Sequence, residues 1–76
     1  MTLYNVLAKV PFCDIVTVVD YISGEIYIDR KSVNQMVEED EELLGSYSGT
    51  GLMNFQVRKI RVGKVYSDLI VEVLKY

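Results

Sequence analysis

Histidine and tryptophan are absent from the chain, and cysteine and proline occur once each. Without histidine, the commonest general base near neutral pH and the commonest transition-metal ligand are both missing. Cys13 therefore has no imidazole to draw off its proton, and one cysteine builds neither a zinc site nor an intramolecular disulfide. It follows Pro11-Phe12 and reads as a small buried hydrophobe. These absences argue against an enzyme and against any metal or cofactor. No stretch approaches the roughly 18 apolar residues of a membrane span. Residues 1–10 lack the basic opening and the small-residue cleavage site of a secretion signal. The expectation is a cytoplasmic protein in a reducing compartment, with no membrane contact.

What remains is a chain of 76 residues, half hydrophobic and one quarter charged. That balance is globular, and the length has room for one domain spanning 1–76. A chain this short buries only about 60–65% of its unfolded surface. It has little room for an enclosed pocket beside its core. A site would be a surface, or a groove shared with a second copy, so self-association is expected. The charges are split. Residues 1–51 carry nine acids against Lys9, Arg30 and Lys31, a net of −6, while 52–76 carry five cations against Asp68 and Glu72, a net of +3. Such a split suits internal pairing, head-to-tail association or two different binding faces.

Residues 2–10 read as a strand, with Tyr4, Val6, Ala8 and Val10 alternating against Leu3, Asn5, Leu7 and Lys9 and with Pro11 closing it. A second strand runs over about 14–21, rich in β-branched residues and apolar on both faces, as a central strand would be. Ser23-Gly24 supplies a turn, so 14–29 forms a hairpin. Ser32 then caps a helix over 32–44, with Gln35 at capping-box spacing and Gly45 as the C-cap. Val33, Met36, Val37, Leu43 and Leu44 mark its apolar face. Residues 45–51 are a glycine-serine loop. In 52–62 the apolar parity changes from odd to even, which requires a bulge or break near Arg58-Lys59. The last strand spans 68–75. The fold class is α+β: a small antiparallel sheet of four to five strands with one helix, in the order β-β-β-α-β-β. One helix covers one face of such a sheet, so the sheet either curls into a half-barrel or meets a second copy.

The candidate surfaces follow from charge. Glu38, Glu39, Asp40, Glu41 and Glu42 crowd the C-terminal half of the helix, where its dipole opposes them. A face that breaks a local rule is a place to look for function. The bland alternative is a solvated face, or a helix that ends near Glu39. The run lacks the alternation and closing glutamate of a calcium loop. The loop 45–51 matches no phosphate-binding spacing, but Tyr47 within it could anchor a partner. Arg58, Lys59, Arg61 and Lys64 form a basic strand with Tyr66 nearby, the best case for nucleic acid. The chain holds six tyrosines, suited to half-buried sheet positions and to interfaces.

The first reading is a protein-interaction module that occupies the basic, nucleic-acid-binding surface of another protein through its acidic helix and Tyr47. The alternatives are a dimeric nucleic-acid-binding regulator that uses the 58–64 strand, and an assembly subunit. In size, acidity and lack of catalytic residues the chain resembles the short proteins of phages and other mobile elements, among them inhibitors of host defences. That likeness is one of style and is carried by no motif.

Overall fold

The computed structural model describes residues 1–11, 14–45 and 51–75. Cys13 and Tyr47 lie outside the described residues. The elements are α1 (Leu3–Leu7), β1 (Ile15–Asp20), β2 (Ile26–Ser32), α2 (Val33–Glu39), α3 (Glu41–Leu44), a 3₁₀ turn (Leu52–Asn54), β3 (Gln56–Val62) and β4 (Leu69–Leu74). The class is α+β, as expected.

The first element is a correction. Residues 2–10 contain a helix, not a strand. Thr2 and Asn5 close a full capping box, which satisfies donors that a helix start would otherwise leave unpaired. Leu3, Val6 and Leu7 then bury one helical face. Apart from Thr2 and Asn5 the residues of 2–8 are apolar, so alternation could not separate strand from helix, and the cap decided. Some extended character survives at the start: Thr2 bridges Gln56, and Leu3 N–H donates to Phe55 O at 3.0 Å.

The sheet is a second correction. It has four strands in the order β2-β1-β4-β3, and it is mixed rather than antiparallel. β1 and β4 run parallel, with Val16 opposite Leu69 and Val18 opposite Val71. The two outer pairs are antiparallel. The sheet stays open at both edges, so there is no half-barrel. Both doubly apolar strands are central, as their patterns required. Several expected local features are present. β1 and β2 form the hairpin, Gly24 takes φ 77°, and β3 shifts register between Val57 and Lys59. Asp20 seals the hairpin turn by accepting from the N–H groups of Ile22 and Ser23 at 3.1 and 2.7 Å.

The helices all lie on one face. Leu3, Leu7, Val33, Met36, Leu44 and Leu52 pack onto Val16, Val18, Ile28, Val71 and Val73. The molecule is only 19 Å thick in its shortest direction. One sheet and one helix occupy about 10 Å each, so the described residues form no third layer. The opposite face of the sheet bears Thr17, Val19, Ile70 and Glu72. Thr17 and Val19 are nonetheless buried.

Thr17 organises that face. Asp29 and Arg30 of β2 together oppose it, a bulge between the pairs Val16–Lys31 and Val18–Ile28. Arg30 takes φ 46° there. Its N–H donates to Thr17 Oγ1 at 3.1 Å, and Thr17 Oγ1 in turn donates to Asp68 Oδ2 at 2.5 Å. Asp68 is itself 5% exposed. Gly63 makes room for it, because a Cβ at that position would lie 2.1 Å from Asp68 Oδ1. Replacing Thr17 with valine keeps the volume but leaves a buried carboxylate and a part-buried N–H without their shared partner. Thr17→Val should cost about 2 kcal/mol in urea unfolding, and Thr17→Ser well under half of that.

Candidate functional site

The five acids do not sit on one helix. α2 ends at Glu39, and Asp40 stands between the helices at φ −113°, ψ 28°. Its N–H still donates to Met36 O at 2.8 Å, and its own carbonyl accepts from Leu44 N–H at 2.9 Å. α3 follows for four residues and closes on Gly45 at φ 66°. This break answers the electrostatic conflict in the sequence. Glu41 and Glu42 now stand in a first turn, beside free N–H groups, where carboxylates are favoured. At the end of α2, Lys31 supplies the cation that a helix C-terminus prefers. Its Nζ lies 2.8 Å from Asp40 Oδ2 and 3.5 Å from Glu39 Oε1. The Asp40 hydrogen bond, aided by the charges of Asp40 and Glu39, raises the Lys31 pKa above its ordinary value.

The cluster therefore divides. Glu39 and Asp40 are held by Lys31. Glu38, Glu41 and Glu42 are exposed, and among the described residues they enter no ion pair. No group of three potential metal ligands converges among the described residues.

Beside the free acids lies an apolar groove that the sequence did not disclose. One part, of about 350 Å³, is lined by Tyr4, Leu7, Ala8, Val33, Val37 and Met53. A second, of about 380 Å³, adds Leu44, Glu38 and Glu41, and it shares Val37 and Met53 with the first. Both are open clefts. The groove exists because residues 3–7 are helical: α1 and α2 form its walls and Met53 its floor. Val37 and Tyr4 remain 49% and 55% exposed. Sequence periodicity had placed Val37 and Leu43 on the buried face. The break at Asp40 rotates the two halves apart and leaves both partly uncovered.

The basic residues occupy the other side. Arg58, Lys59 and Arg61 are exposed on β3, an edge strand, and Lys64 lies in the turn that follows. Lys59 stands opposite Glu72 and Arg61 opposite Ile70, so both share the uncovered face. Arg61 Nε lies 3.4 Å from Glu72 Oε2. Two residues missed by sequence reasoning join them. The Arg58 guanidinium lies 5.7 Å from the centre of the Tyr21 ring, and that of Arg30 lies 4.0 Å from the Tyr66 ring. The Tyr66 contact, with Asp29 beside it, raises the Arg30 pKa further. Only the bulge at Thr17 turns Arg30 toward this face, and composition carries no signal for that.

Compared with models of protein families, with curated proteins and with solved structures, the chain matches none. Among the described residues no helix is long and apolar enough to cross a membrane.

Lys31 offers a direct test of the divided cluster. Because its folded pKa is raised, its stabilising effect is complete below the ordinary lysine value of 10.5 and is lost as pH rises past the folded value. Lys31→Gln should lower the melting temperature at pH 7. The gap from wild type should narrow in high salt and close at strongly alkaline pH.

Proposed function

We propose that the chain is a protein-interaction module, a binder rather than a catalyst, whose helical face takes a basic amphipathic segment of a partner protein. The observation that carries this reading is an apolar groove with two unpaired carboxylates, Glu38 and Glu41, in its lining and Glu42 next along the chain. An amphipathic helix lays its apolar face into such a groove and presents its flanks to the rim. Val37, Met53 and Tyr4 would take the apolar side chains. Glu38, Glu41 and Glu42 would face lysine or arginine. Rim charges of this kind set approach and selectivity, while the buried anchors set residence time.

Imitation of a phosphate run by five acids loses support, since Lys31 engages two of them. A smaller version remains within the proposal. A partner whose basic surface handles nucleic acid has the charge that the rim complements, and occupying that surface would inhibit it. The expected setting is the cytoplasm.

A synthetic amphipathic leucine–lysine peptide about four turns long provides the probe. Calorimetry should show binding that weakens with salt. Val37→Asp should reduce affinity at least tenfold, as loss of a central anchor does. Replacing Glu38, Glu41 and Glu42 with glutamine should weaken binding several-fold and flatten its salt dependence. Peptide binding that survives both changes, or no binding at low salt, would sink the proposal.

A further inference from the structure

We propose that the uncovered face of the sheet is a second binding surface, of opposite charge, for single-stranded nucleic acid. The face carries Arg30, Arg58, Lys59 and Arg61. Its carboxylates are engaged: Asp68 with Thr17, Glu72 with Arg61, and Asp29 with Arg30 at 3.2 Å. Among the described residues, Arg58 and Lys59 have no carboxylate partner. Phosphates are the anions that such a surplus fits.

Charge alone would suit any polyanion, and the two arginine–tyrosine pairs make the choice narrower. Each pair sets a guanidinium against a tyrosine ring, at 4.0 and 5.7 Å. Tyr66 and Tyr21 remain 66% and 45% exposed. Nucleobases stack on aromatic rings and on guanidinium planes alike. The pairs flank the face, one near Thr17 and one at Tyr21. Four strand residues separate these, about 13 Å. Of the cations of β3, Lys59 lies between them, level with Val19, and Arg61 is level with Thr17. A strand of unpaired bases can therefore stack at both ends while its phosphates cross Lys59 and Arg61. A duplex keeps its bases stacked on each other and cannot use the rings. Among the described residues no helix or second sheet covers this face.

The test uses a fluorescent oligodeoxythymidine and anisotropy. Four phosphate contacts, with Arg30 and Arg61 exchanging Asp29 and Glu72 for phosphate, predict a logarithmic salt slope of about −2.8 for a single strand. That corresponds to about a 50-fold loss between roughly 50 and 200 mM salt. Replacing Arg58, Lys59 and Arg61 together with glutamine should reduce the slope to about −0.7. Tyr21→Leu, which retains the apolar cover, should weaken binding roughly tenfold, and Tyr21→Phe should restore it. The melting temperature of each variant is measured first, and binding is compared well below it. No anisotropy change at low salt would overturn the proposal. So would equal binding of a duplex, or displacement by polyglutamate of matched charge as effective as by unlabelled oligonucleotide. That last result would mean that the face reads charge and not bases. None of these outcomes bears on the peptide groove, which lies on the opposite side of the sheet.

Discussion

The parallel pairing of β1 with β4 is the constraint on which the rest of the molecule depends. It joins residues 16–20 to residues 69–73, and the side chains it stacks on one side are fully buried: Val16, Val18, Val71 and Val73. Parallel neighbours cannot be joined by a tight turn. The intervening chain must travel out along β2, over the face as α2 and α3, and back along β3. That route places every helix of the crossover on one face, with α1 added beside them. It also makes β2 and β3 the two edges. The positions of both candidate surfaces follow from this one pairing.

The pairing also turns a charge split along the chain into a charge split in space. Five of the nine acids of the first two-thirds gather at the α2–α3 junction on the helical side. Cations of the last third lie on an edge strand and point to the other side. Lysine and arginine on an exposed edge discourage strand-to-strand association with other copies. Their stems have a further use. Val19 and Ile70 lie beneath a face with no helix, and long basic side chains cover apolar surface while their heads stay in water. The two-faced apolar pattern of the central strands, which called for a second copy or a curled sheet, is met in part by side chains of the chain itself.

The sequence made legible what depends on neighbours in the chain. Ser32 caps α2, Gly45 closes α3, Gly24 turns the hairpin, and the parity change near Arg58 marks a bulge. Each is a local rule with a local cause. What was illegible depended on partners far away or on competing periods. Between Thr2 and Ala8 only Thr2 and Asn5 are polar, and they are the two residues of the cap, so the choice between strand and helix fell to that cap. The parallel register of β1 with β4 has no signature in either strand. A helix end near Glu39 was among the sequence's own alternatives, but the lysine nine residues earlier that meets Asp40 there was not. The acidic run was visible as an anomaly, but not the way in which it is relieved.

That relief changes what the acidic run can do. A continuous helix would present five carboxylates together and carry a standing electrostatic cost. The broken one assigns two to Lys31 and moves two more to a helix start, so most of the conflict is settled within the chain. A site that kept its conflict for a partner would leave all five acids unpaired, and here Lys31 holds two of them. Its capacity for recognition lies instead in what the break exposes, because ending α2 early leaves Val37 and Leu43 partly in water next to Glu38, Glu41 and Glu42. Apolar surface beside unpaired charge is a combination that neither solubility nor core packing requires. On the sheet side, the bulge at Thr17 has the same relation to Arg30. A local departure from regular structure, held in place by buried hydrogen bonds, turns an ordinary side chain toward a shared surface.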